Sequence, residues 1–138
     1  MPLIRVIKGK GVVPGRAEGL AMVSREAIQG WSGLDELTGS VVEVGHPFFG
    51  QSIKGKVLVL SGGKGSNGWS VHFHCAKLKG IGPAAMILHR LDSRMAVTAA
   101  ILEVPVLTAL DGDPFELIPM GARVVIDADK GLAEIYEP

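Results

Sequence analysis

A single cysteine, Cys75, stands in 138 residues. The chain can therefore form no internal disulfide, and its own thiolates cannot build an iron–sulfur cluster or a structural zinc site. Net charge is missing too, since fourteen Lys and Arg balance fourteen Asp and Glu. Without a long-range field to gather phosphate backbones or anionic headgroups, nucleic acid is not an expected partner. No apolar run approaches the roughly 20 residues of a membrane span. The N-terminal MPLIRVIKGKG places Arg5, Lys8 and Lys10 where a secretory leader needs an apolar centre. No membrane association is expected, and a cytoplasmic location is. Charged residues are also few, 20% against 47% apolar, which predicts that another chain covers part of the surface.

What is abundant is glycine, with 19 residues, and its placement divides the chain. A length of this order suits one domain across 1–138. Residues 3–8 and 17–24 read as strands around a Pro14-Gly15 turn. GWSGLDELTGSVVEVGHPFFGQSIKG is too apolar for a flexible linker and too broken for a helix, and predicts a long functional loop with a short strand at 41–44. Beyond it KVLVL, AAMIL (84–88) and VPVLTAL (104–110) are apolar without alternation, as in strands buried on both faces. Two helices are predicted between them. One starts at Ser66 or Asn67 and ends at Gly80; the other runs from about Asp92 to Leu102 with Asp92 or Ser93 as N-cap. The tail, GARVVIDADKGLAEIYEP, predicts a hairpin joined by ADKG. The fold class is α/β: a β/β/α sandwich around a small parallel βαβαβ core.

The chemistry concentrates after the first of the buried strands, in SGGKGSNGWS, where Gly62, Gly63, Gly65 and Gly68 surround Lys64, Ser66 and Asn67. A strand that ends in glycines and opens a helix presents unpaired backbone N–H groups to an anion or to an oxygen gaining charge. Alternatively, the glycines serve a tight turn and Ser66 caps a helix. A nucleotide-binding phosphate loop is excluded, because Lys64 is followed by Gly65 rather than Ser or Thr. Gly63, Gly65 and Gly68 satisfy G-x-G-x-x-G, but Asp92 comes later than the usual acidic ribose partner and the chain is short for a dinucleotide domain, which disfavours that reading. In the site reading the amides and Lys64 stabilise a Ser66 alkoxide, which can then take a proton. His72, His74 and Cys75 diverge on a helix and suit packing better than a metal. His46 and His89 sit in loops, Trp31 and Trp69 adjoin the glycine segments, and Asp111 or Asp113 could complete a serine triad that no spacing favours.

Taken together, GKGVVPGRAEGLAMVS, WSGLDELTGSVVEVGHPFFGQSIKGKVLVL, GGKGSNGWS, GPAAMIL and VPVLTAL resemble the small subunit, or swivel domain, of the aconitase X family. The likeness covers about residues 8 to 127. Its most specific pieces are VPGRAEG, D-x-x-T-G at Asp35 to Gly39, H-P-x-x-G-x-S at His46 to Ser52, and the G-K-G-S that ends at Ser66. The resemblance implies a swivelling β/β/α domain as at the C-terminus of aconitases. It also implies a large aconitase X subunit as partner, in a hetero-oligomer whose iron–sulfur cluster is bound by that large subunit. By the same likeness Ser66 is the catalytic base of a hydro-lyase acting on a small carboxylate. Lys64, Gly65, Asn67 and Gly68 are the expected substrate-binding residues around it. Two dehydrations are associated with the family, of cis-3-hydroxy-L-proline and of mevalonate 5-phosphate. Lys64 stands where the second type usually has Arg, and loss of that bidentate fork favours the hydroxyproline enzyme. A carboxylate- or phosphate-binding module without chemistry, and a purely structural interaction subunit, are the rival readings.

Overall fold

The computed structural model describes residues 2–26, 28, 34–35, 37–62, 75 and 77–138, residue 94 by its backbone alone. Eight strands are present among them. These are β1 (Leu3–Lys8), β2 (Lys10–Val13), β3 (Arg16–Ser24), β4 (Val57–Leu60), β5 (Ala85–Leu88), β6 (Val106–Thr108), β7 (Arg123–Asp127) and β8 (Leu132–Tyr136). Two helices, α1 (Ser93–Leu102) and α2 (Pro114–Leu117), complete the named elements. No helix among the described residues is long and apolar enough to cross a membrane.

The strands form one sheet in the order β1-β8-β7-β3-β4-β5-β6-β2. Only Gly9 separates β1 from β2, so the first and last strands of that order are one run of chain and the sheet closes on itself. At the join, the Gly9 N–H donates to Gly131 O at 2.8 Å. Strand β3 supplies the opposite corner. Its residues 16–20 pair antiparallel with β7, and its residues 21–24 pair parallel with β4. One half of the sheet is thus an antiparallel meander of β1, β8, β7 and β3, and the other is the parallel run β3, β4, β5 and β6.

Alternation in β4 and β5 assigns the two cores. Val57, Val59, Ala85 and Ile87 point into the closed sheet, where they meet Ile7, Leu107, Val124, Ile126, Ala133 and Ile135. Leu58, Leu60, Met86 and Leu88 point the other way, against Met95, Ala99 and Leu102 of α1 and against Ile28, Leu34, Val41, Phe48 and Ile53. Every side chain of the two strands is buried, which is why their sequences show no period of two. Helix α1 begins at its expected cap, with the Met95 N–H donating to Asp92 Oδ1 at 2.9 Å. It ends at Glu103 in the left-handed region, φ 56°. Of the first predicted helix, Cys75, Lys77 and Leu78 are helical and the turn at Gly80, φ 74°, is found where expected. Its start lies outside the described residues.

The 34–53 segment differs from expectation. No strand spans 41–44; single bridges join Leu34 to Val41, Ser40 to Ser52 and Val41 to Phe49. Gly39, Gly45 and Gly50, all at positive φ, turn the chain before a ladder can extend. The segment nevertheless contributes core, since Phe48 and Ile53 are fully buried. Sequence patterning also misses β2, too short and glycine-broken to register, and α2, a single turn started by Pro114.

Close backbone approach rather than turn geometry fixes Gly11, where a Cβ would strike the carbonyl of Ala128. Gly11→Ala is expected to lower stability by about 2–3 kcal/mol, measured as a drop in the urea midpoint at unchanged slope. Phe48→Ala is expected to cost about 3–5 kcal/mol; a loss below about 1 kcal/mol would show that the 34–53 segment is not part of the core.

Candidate functional site

In a parallel sheet, strand ends leave polar backbone at one edge, and ligands collect there. Here that edge is formed by the C-terminal ends of β3, β4, β5 and β6. Buried Thr108 ties two of these ends together, its hydroxyl donating to Leu88 O at 2.8 Å. A cavity of about 570 Å³ opens at this edge, between Ser61 and Gly62 after β4 and His89, Arg90 and Asp92 after β5. Arg25, just beyond β3, and Phe115 of α2 close it.

Arg25 is held on three sides. Its Nη2 lies 2.8 Å from Asp113 Oδ2 and 3.9 Å from a Glu116 oxygen, and its guanidinium stands 5.0 Å over the Phe115 ring. The His89 ring meets the same phenyl group edge-on at 5.7 Å. Asp113 also caps α2, accepting the Phe115 N–H at 2.9 Å. The Arg25 hydrogen bond holds the Asp113 carboxyl below the usual carboxylate range. Partial burial opposes this, while the Phe115 N–H and the charges of Arg25 and His89 reinforce it. Asp113 therefore serves Arg25 and the helix cap. No hydrogen bond links it, or Asp111, to His89 among the described residues, and the serine triad does not form from this side.

His46 is a positioning element of the loop. At 4% exposure, its Nδ1 accepts the Phe48 N–H at 3.0 Å. The other nitrogen therefore carries the proton and donates to Glu26 O at 3.1 Å. This ties the H-P-x-x-G-x-S segment to the end of β3. The D-x-x-T-G piece is likewise a turn: the Leu37 N–H donates to Asp35 Oδ1 at 2.9 Å and the Gly39 N–H to Asp35 O at 2.8 Å. Both motifs shape the 34–53 segment itself. Lys64, Gly65, Ser66, Asn67 and Gly68 lie outside the described residues, as do His72, His74, Trp31 and Trp69. Ser61 and Gly62, which precede that segment in the chain, line the cavity.

Arg25, Arg90 and Phe115 are functional candidates that motif reading misses. Arg25 and Phe115 are 90 residues apart in the chain and meet only through α2. Arg90 could have been flagged as a cation two residues past a doubly buried strand. Among the described residues no group of three His, Cys, Asp or Glu is arranged to hold a metal ion, and Cys75 is a lone, partly buried thiol. The chain's own described residues therefore do not fit an iron–sulfur cluster.

The depressed Asp113 pKa has a definite sign. The Arg25 pair contributes fully above the ordinary carboxylate value of about 4, and its contribution is lost as pH falls through the lowered folded value. Asp113→Asn, neutral at every pH, is expected to lack that part of the acid-side decline. Urea midpoints between about pH 2 and 6 measure it, and superimposable acid limbs would contradict the assignment.

Comparison with known proteins places this geometry. Residues 6–135 match the family model of the aconitase X swivel domain. The phosphomevalonate dehydratase small subunit of Methanocella arvoryzae is 40% identical over 129 residues, covering 94% of this chain and 98% of that one. The subunit of the same name from Archaeoglobus fulgidus is 37% identical over 128 residues, covering 93% and 96%. The crystal structure of aconitase X from Thermococcus kodakaraensis in its holo form superposes with a TM-score of 0.89 at 34% identity, covering 96% of this chain and 99% of that one. These relatives are hydro-lyase subunits, the enzyme class that the sequence resemblance implies, and their names carry no mention of hydroxyproline. The chain belongs to the aconitase X family, as its swivel domain and small subunit.

Proposed function

We propose that this chain, as one swivel domain over 1–138, is the small subunit of a phosphomevalonate dehydratase and works with a large aconitase X subunit. The carrying observation is the near-complete, 40% identical match to a subunit of that name. The preference for hydroxyproline drawn from Lys64 is withdrawn. A lysine ammonium is itself a common phosphate binder, so exchanging Arg for Lys does not separate a phosphorylated substrate from a plain carboxylate.

In this reading the substrate is a 3-hydroxy acid, and the reaction removes a proton from the carbon next to the carboxylate and hydroxide from the carbon beyond it. Ser66 takes the proton. The N–H groups of Gly65, Asn67 and Gly68, together with Lys64, hold the negative charge that Ser66 carries beforehand. Arg25, locked by Asp113 and Phe115, keeps one wall of the site in place. An iron–sulfur cluster bound by the large subunit, when present, supplies Lewis acidity toward the departing oxygen. A swivel domain that closes over the partner keeps water from the reacting carbon.

The test is co-expression with a large aconitase X-type subunit and assay of both mevalonate 5-phosphate and cis-3-hydroxy-L-proline. Turnover of the phosphorylated substrate is expected; turnover of hydroxyproline alone would reverse the assignment. Ser66→Ala is expected to leave assembly intact and lower kcat by about 10³-fold or more, as loss of an activated base does. Retention of most activity would remove Ser66 from the chemistry. A binding module without catalysis predicts no turnover of either compound.

A further inference from the structure

We infer that Arg90 binds the phosphate of the substrate and so sets the preference of this site for a phosphorylated hydroxy acid; the inference rests on the phosphomevalonate reading above. Two backbone bonds carry the pairing of β4 with β5 past the strands. The His89 N–H donates to Leu60 O at 2.9 Å and the Arg90 N–H to Ser61 O at 3.0 Å. Arg90 is thereby pinned beside Ser61, on the rim of the cavity that both line.

The two arginines at this cavity differ in what they are bound to. Arg25 is committed to Asp113 and Phe115. Arg90 is exposed and makes no ion pair among the described residues. The neighbouring carboxylate, Asp92, is engaged at the N-terminus of α1 through the Met95 N–H. Arg90 therefore offers a planar fork of donors to an incoming anion, the geometry that phosphate oxygens take in pairs.

The chemistry of the two candidate substrates separates at this point. Mevalonate 5-phosphate has an anion at each end. One end can be held at the reacting carbon while the other reaches a second cation, and a space of about 570 Å³ accommodates both. Hydroxyproline has one carboxylate and an ammonium, which leaves the Arg90 charge unmatched. Arg90 acts in this scheme on binding rather than on proton transfer.

The experiment uses the co-expressed complex in four forms: unaltered, Arg90→Gln, Arg90→Lys and, as a control on the distant hairpin, Lys130→Gln. Calorimetric binding of mevalonate 5-phosphate, competition by inorganic phosphate, and kcat and KM are measured, with assembly checked by size exclusion. Arg90→Gln is expected to weaken binding and raise KM by about 10- to 100-fold, the range for a charge-assisted pair, with a smaller change in kcat. Competition by inorganic phosphate should weaken in parallel. Arg90→Lys should recover part of the loss and Lys130→Gln should change nothing. Binding by Arg90→Gln within about two-fold of the unaltered complex overturns the inference, even where turnover of the phosphorylated substrate upholds the functional reading. Arg90-dependent binding without turnover sinks the functional reading and leaves the phosphate site standing. No binding by the unaltered complex ends both.

Discussion

Val57 to Leu60 and Ala85 to Leu88 have no side chain open to water, and a strand in that position requires cover on both faces. The closed sheet provides one cover, with Ile7, Val124, Ile126 and Ile135 reaching inward. Helix α1 and the 34–53 segment provide the other. Removal of either would expose a row of Val, Leu, Ile and Met, so neither the barrel closure at Gly9 nor the anchoring of Phe48 is optional. The same burial forbids chemistry along these strands and confines it to their ends.

At those ends, backbone bonds continue where side-chain burial stops. The bonds from His89 and Arg90 to Leu60 and Ser61 fix two loops against each other without a third strand. Arg25, arriving from β3, is steered by Asp113 and Phe115, so a helix of four residues does the work of a wall. Around this edge the long 34–53 segment is tied back by His46, whose single tautomer joins Phe48 to Glu26. The outer face of the antiparallel half, by contrast, carries the Arg123–Glu18 pair and solvated charges.

Much of the architecture is legible in residue patterns. The uninterrupted VLVL and AMIL runs announce doubly buried strands, the hairpin around Asp127 to Leu132 follows from its turn residues, and Asp92 caps α1 as its chemistry requires. Position 41–44 is misread because Val41, Val42 and Val44 have strand propensity, while the glycines at 39, 45 and 50 deny them a ladder; Val44 ends 88% exposed. Arg25, Arg90 and Phe115 escape notice because nothing local distinguishes a cation that pairs across 88 residues from one on an open surface.

Residue order alone sets the parallel core, the absence of any cluster-binding thiol set and the family, since each depends on neighbours in the chain or on composition. Tertiary structure alone decided that β1 and β2 close the sheet, that the 34–53 segment is core, and that Arg25 is paired while Arg90 faces the cavity. Those outcomes are contacts between residues distant in the chain, and their energy arises only once burial has brought the partners together.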